Sequence, residues 1–115
     1  WIDMNEPSVF SARRTLPDSV QHKEGGAGTI RQHRSIHNLY GLLMAKATAE
    51  GLEMLCPGKR FFLFSRSAYA GIQKYASTWT GDNRSNWDHF SMTIQMIINM
   101  GLSGQTMTGP DIGGF

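Results

Sequence analysis

Phe61-Phe62-Leu63-Phe64-Ser65-Arg66-Ser67 is the stretch whose reading decides the fold. Four successive apolar residues without alternation predict a strand buried on both faces, the pattern of a parallel sheet covered by helices. A charged residue follows almost at once. Three shorter β-type runs repeat the plan: Trp1-Ile2, Ser77-Thr78-Trp79 and Thr106-Met107-Thr108 lead to Asp3, Asp82 and Asp111, as the first run leads to Arg66. Active sites of parallel sheets and barrels lie at the carboxyl ends of their strands, so the four charges are expected to face one mouth.

Helices must cover such strands. Ile36, Leu39, Tyr40, Leu43, Met44, Ala47 and Leu52 recur at helical spacing, with Ser35 as the expected N-cap and Pro57-Gly58 as the stop. Gly41 and Gly51 inside this helix signal close packing, because glycine weakens a helix by up to ~1 kcal/mol against alanine. A second helix is expected after a Ser85 cap, with Phe90, Ile94, Ile97 and Ile98 as its stripe and Gly101 at its left-handed end. Met92, Met96 and Met100 on it are read as adaptable core. Asp82 and Asp111 lie 29 positions apart, close to one unit of a (β/α)8 barrel, whose ~250 residues give ~31 per unit. Between Arg66 and Asp82 only a short helix fits, about Ala70 to Tyr75. The polar segment from about 11 to 32, with Gly25-Gly26-Ala27-Gly28 inside it, is read as one long loop, either a lid over a site or a surface excursion, with the surface excursion slightly favoured.

The composition narrows the classes. With 115 residues, 40% hydrophobic and 17% charged, the chain is an ordinary folded domain and not a disordered one. A net charge of +2 without runs of like sign argues against nucleic acid as a partner. No apolar run reaches the ~18 residues of a membrane span. Cys56 stands alone, so neither an internal disulfide nor a cysteine zinc site is expected. His33 and His37 are four apart, but Ser35 would open the helix between them, and surface or capping roles are expected in place of metal binding. The chain begins at Trp1 and ends at Gly113-Gly114-Phe115, both inside motif-rich sequence, so residues 1–115 are read as a fragment of one barrel domain. No leader is legible, the compartment is left unknown with the cytoplasm slightly favoured, and the oligomeric state is not fixed by these residues.

Two of the strand ends share a composition. Trp1-Ile2-Asp3-Met4-Asn5-Glu6-Pro7 and Trp79-Thr80-Gly81-Asp82-Asn83 each combine an aromatic ring, an acid and an amide. Paired carboxylates beside tryptophans able to lie against a sugar ring are the equipment of glycoside hydrolysis. Asp3 and Asp82 are the candidate pair. Glu6 competes with Asp3 for the nucleophilic role but is ranked as structural, since Pro7 follows and turns the chain. Asn83-Arg84-Ser85 matches an N-glycosylation pattern, read as accidental because a glycan there would block the site.

The run WIDMNEP, the run KRFFLFSRSAYAGIQKYASTWTGDNRS, and the terminal DIGGF together resemble glycoside hydrolase family 31, and HNLYGLLMAKATAEG resembles its bacterial-type α-glucosidases. The resemblance covers the chain outside the segment from about 11 to 32. It implies an α/β fold, a partial (β/α)8 TIM barrel holding roughly strands four to seven, and a retaining α-glycosidase that releases terminal α-linked glucose from oligosaccharides without cofactor or metal. By resemblance Asp3 is the nucleophile, Asp82 the acid/base, and Arg66 and Asp111 bind the sugar. Trp79 and Phe115 match pocket-wall positions, and Met4 and Trp1 flank the nucleophile. Pro110 departs from the family's usual alanine, which bears on the placement of Asp111. A non-catalytic carbohydrate-binding relative, and an α-xylosidase or α-glucosyltransferase, stand as alternatives.

Overall fold

Parallel pairing starts at Ile2 and steps across the chain in sequence order. The computed structural model describes residues 1–24, 26 and 28–115. Ile2 bridges Ser65 of β3 (Phe64–Ser65); β3 pairs with β4 (Ser77–Trp79), and β4 with β5 (Thr108–Gly109), all parallel. The registers Phe64↔Ser77 and Thr78↔Thr108 put neighbours in the sheet next to one another in the chain. A doubly wound sheet reverses its strand order at a switch point, whereas a barrel adds strands in succession. This sheet adds them in succession and, among the described residues, does not close.

The strand around Phe64 is shorter than its apolar run. Leu63 is 6% exposed, but Phe61 and Phe62 are 36% and 66% exposed, because pairing with β4 begins only at Phe64. The expectation of burial on both faces therefore fails at the first two phenylalanines.

Helix α2 (Tyr40–Leu55) follows a short α1 (His33–Ile36) and a 3-10 turn, His37–Leu39. Ser35 does not cap it; the Ser35 hydroxyl donates to the Gln32 carbonyl, and the first helical residues lie upstream of it. The buried face is Gly41, Ala45 and Ala49, a line of small residues at i, i+4 and i+8, in place of the larger stripe, of which Leu43 is exposed. Small side chains let the helix axis approach the sheet. A Cβ at Gly41 would stand 2.6 Å from Ser67 Oγ, so glycine is required there; Gly51 meets nothing. Ala45, Ala49, Leu63, Ile72 and Ala76 form the core, with Ile2, Leu42 and Leu52 against it.

The short helix expected near 70–75 is a single 3-10 turn, Ile72–Lys74. Helix α3 (Trp87–Leu102) is capped by Asn86, whose side chain accepts from the His89 N–H; Ser85 lies one residue outside. It runs through Gly101, and Gly104 takes the left-handed conformation (φ +82°). Only Thr93 of α3 is buried, and Phe90, Ile94, Ile98 and Met92 are exposed. The stripe is real, but nothing described covers it.

The segment from 11 to 32 is not one loop. It contains an antiparallel hairpin, β1 (Gln21–Glu24) and β2 (Thr29–Gln32), registered Gln21↔Gln32 to Glu24↔Thr29. Gly25 and Ala27, part of the glycine-rich stretch between the two strands, lie outside the described residues. No described helix is long and apolar enough to cross a membrane.

Candidate active site

Arg66 is the first residue after β3, and its backbone N–H donates to the Ile2 carbonyl at 3.1 Å. That bond brings the end of β3 level with Asp3. Buried Asn5, 1% exposed, secures the same junction: its amide donates to Ser65 Oγ at 2.8 Å, and its Oδ1 accepts from the Ser67 N–H at 3.0 Å. Met4 adopts φ +57°, a left-handed conformation that costs a side-chain-bearing residue about 1–2 kcal/mol. The turn it makes lets its own N–H donate to Asp3 Oδ1 at 2.8 Å.

The guanidinium of Arg66 divides its donors. The edge formed by Nε and Nη2 is taken by Glu6, at 2.9 and 3.2 Å, a two-point match of planar fork to carboxylate. Nη1 is left for both aspartates: Asp3 Oδ1 lies at 3.0 Å and Asp82 Oδ2 at 3.5 Å. Sharing one nitrogen limits the separation of those two oxygens to 6.5 Å, the 3.0 and 3.5 Å laid end to end. The hydrogen bonds that Arg66 donates to Glu6 raise the Arg66 pKa; burial opposes them, and the charges of Glu6, Asp3 and Asp82 add to the rise. Arg66 stays a cation throughout the accessible pH range.

Aromatic rings back this cluster. The Arg66 guanidinium carbon lies 5.8 Å from the Trp79 ring centre, and Trp1 meets Trp79 edge-on at 5.6 Å. Trp79 is buried, so its ring supports Arg66 from beneath, while Trp1, Met4 and Phe115 are exposed. Gly81, at φ +95°, turns the chain between Trp79 and Asp82 in a conformation that suits glycine.

The structure thus gathers Asp3, Asp82, Arg66, Trp79 and Trp1 at the carboxyl end of the sheet. Glu6 joins them through Arg66, so Pro7 does not turn it away as expected. Asp111 and Phe115 belong to the loop after β5, which is tied to the Asp82 loop through Asn83 and not through Arg66. Asn83 Nδ2 donates to the carbonyls of Asp111 and Gly113, and Asn83 Oδ1 accepts from the Asp111 N–H. The sequence marks Asn83 as the amide of the second strand-end motif and as part of a glycosylation pattern, but neither signal shows that it ties the two loops together.

A second polar cluster also escaped it. His33 is 1% exposed, between the hairpin and α2. Its Nδ1 bonds His22 Nε2 at 3.0 Å and its Nε2 bonds His37 Nδ1 at 2.9 Å. The surface or capping role expected for His33 is therefore wrong. Opposite nitrogens of one ring cannot serve a single ion, and no group of metal-ligating side chains occurs among the described residues. Desolvation, then the neighbouring His37 and His22, lower the His33 pKa, with Asp18 opposing.

A barrel segment with acids and an arginine at its strand ends is the architecture of carbohydrate-processing TIM barrels. The model of the glycosyl hydrolases family 31 TIM-barrel domain matches residues 1–115, and the chain belongs to that family. It is 50% identical over 115 residues to Alpha-glucosidase 2 of Bacillus thermoamyloliquefaciens, covering 100% of this chain and 14% of that protein. A probable glucan 1,3-alpha-glucosidase of Oryza sativa subsp. japonica is 46% identical over 117 residues, 100% of this chain and 12% of its own length. A crystal structure of glucosidase II alpha subunit superposes with a TM-score of 0.83 at 36% identity, over 97% of this chain and 12% of that one. The chain thus spans about one eighth of these relatives.

Proposed function

We propose that these residues are the fourth to seventh strands of a retaining α-glucosidase barrel, and that they carry both of its catalytic carboxylates. Asp3 attacks the anomeric carbon of a terminal α-linked glucose while Asp82 gives its proton to the departing glycosidic oxygen. A covalent glycosyl ester on Asp3 results. Asp82, now a carboxylate, takes a proton from water; the water oxygen bonds to the anomeric carbon, and the Asp3 ester bond breaks. Double displacement of this kind asks for no cofactor. Arg66 and Asp111 hold sugar hydroxyls, and Trp1, Trp79, Met4 and Phe115 wall the pocket.

One observation carries the reading: oxygens of Asp3 and Asp82 share Arg66 Nη1. The resulting ceiling of 6.5 Å accommodates the ~5–5.5 Å of retaining enzymes and falls at the bottom of the ~6.5–9.5 Å that inverting enzymes need for a water. The names of the relatives, α-glucosidases of bacterial and plant origin, support glucose as the sugar. Four of eight strands leave open sheet edges, so turnover belongs to the completed barrel.

The test is trapping in a full-length enzyme that carries this segment. An activated fluoroglucoside forms a slowly hydrolysed ester, and peptide mass spectrometry is expected to find it on Asp3. An ester on Glu6 would transfer the nucleophilic role, and binding without an ester would favour a carbohydrate-binding relative without turnover.

A further inference from the structure

Asp82 and Asp111 lie on different loops, after β4 and β5, and one side chain joins those loops. Asn83 Nδ2 donates to the Asp111 carbonyl at 3.2 Å and to the Gly113 carbonyl at 3.0 Å, and Asn83 Oδ1 accepts from the Asp111 N–H at 3.2 Å. Both amide hydrogens and the amide oxygen are thereby engaged. The main chain completes the junction: the Phe115 N–H donates to the Asn83 carbonyl at 3.0 Å, and the Ser85 N–H donates to the Phe115 carbonyl at 2.6 Å. Gly114, at φ +94°, lies so close that a Cβ would overlap the Asn83 carbonyl oxygen and stand 2.7 Å from Nδ2. Only glycine permits that approach.

The arrangement holds Asp111 by both of its own peptide groups and leaves its side chain alone. Among the described residues no hydrogen bond or ion pair engages the Asp111 carboxylate. Pro110 fixes the backbone angle before Asp111, and Asn83 holds the peptide groups on both sides of it. Asn83 is also the residue next to Asp82, so a shift of either loop is passed to the other.

We propose that Asn83 is a positioning residue that sets the Asp111 carboxylate in register with the Asp82 loop, so that a sugar held from the β5 side meets the proton donor on the β4 side. The proposal rests on the substrate-holding role given to Asp111 above and extends it to a residue with no sugar contact of its own. It also explains why Asn83-Arg84-Ser85 is unsuited to glycosylation, since the amide nitrogen is already committed to two carbonyls.

A double-mutant cycle in the full-length enzyme tests it, with kcat and KM measured on maltose for Asn83→Ala, Asp111→Ala and the pair. Misplacing a reacting group by about 1 Å can cost a hundredfold, so Asn83→Ala is expected to lower kcat/KM by about 10- to 100-fold, largely through kcat. In the Asp111→Ala background the same change is expected to cost less than about threefold, because the group being positioned is gone. Equal factors in both backgrounds, or wild-type kinetics for Asn83→Ala, would overturn the proposal; a merely structural role lowers the unfolding temperature but gives equal factors. Should the alanine variant not fold, Asn83→Asp keeps the shape and the acceptor for the Asp111 N–H, sets a carboxylate against two carbonyl oxygens, and is expected to show the same coupling. Wild-type kcat/KM for Asp111→Ala would remove the substrate role of Asp111 and this proposal with it, while leaving the trapping of an ester on Asp3 as an independent result.

Discussion

The Arg66 cluster and the His33 cluster are both built from titratable side chains, and they are built on opposite principles. Around Arg66 three carboxylates, Asp3, Glu6 and Asp82, face one cation. With all three ionised the group carries an excess of negative charge at partly exposed positions, which repels itself and adds little to folding. Around His33 three rings exchange two hydrogen bonds, the central ring buried and its two partners toward the surface, and carry no charge when neutral. The first arrangement is poor for stability, as the catalytic roles proposed for its acids would have it; the second joins the hairpin to the helical turns that lead into α2. Perturbed or crowded ionisable groups mark function only where substrate can reach them.

If that contrast holds, mutations at the two places must differ in kind. Asp3→Asn should remove nearly all turnover in the full-length enzyme, by at least about 10³-fold in kcat, because no covalent ester can form. Its unfolding temperature should stay level or rise as charge repulsion falls. A large loss of stability together with substantial remaining activity would reverse the assignment of the cluster.

Arg66→Lys sharpens the electrostatic side of the comparison. Lysine keeps the charge but cannot take Glu6 along one edge while serving both aspartates from Nη1. A fall of about 10- to 100-fold in kcat/KM, with kcat sharing it, is expected. A rise in KM alone would reduce Arg66 to uniform substrate binding.

At the histidines the readout is stability and its pH dependence. His33 has its pKa lowered from 6.5 by burial, so the unfolded chain binds its proton more readily than the folded one. The folded state should therefore lose stability as pH falls below 6.5 toward the lowered value, and the contribution should be complete above 6.5. His33→Asn should cost about 1–3 kcal/mol at neutral pH through lost ring contacts and unsatisfied partners, and it should flatten the decline between pH 7 and pH 5 in thermal unfolding. An unchanged slope would place the pH sensitivity elsewhere.

The smallest effect belongs to the packing that supports both clusters. Gly41→Ala sets a Cβ 2.6 Å from Ser67 Oγ and 2.8 Å from its Cβ; the overlap should outweigh alanine's better helix propensity and destabilise by about 1–2 kcal/mol in denaturant unfolding. Gly51→Ala meets nothing and should stabilise by up to ~1 kcal/mol.

Short-range chemistry was legible in the sequence. Apolar runs, helical spacing and the punctuation of glycine and proline located β3 to β5, α2 and α3, and placed Asp3, Arg66, Asp82 and Asp111 at strand ends, because those signals act over a few neighbouring residues. The hairpin was lost in a polar stretch whose exposed strand β2 has no apolar alternation to betray it. What only the tertiary structure decided are pairings across long stretches of chain: Glu6 with Arg66 over 60 positions, Asn83 with Asp111 over 28, and His22 with His33 across the hairpin. The same physics explains the face of α2, where the demand for a close approach to the sheet selected Gly41, Ala45 and Ala49 over the larger apolar stripe. Local propensity chooses the elements, but the sheet register and the contact distance between layers choose which side chains meet, and those are properties of the packed molecule.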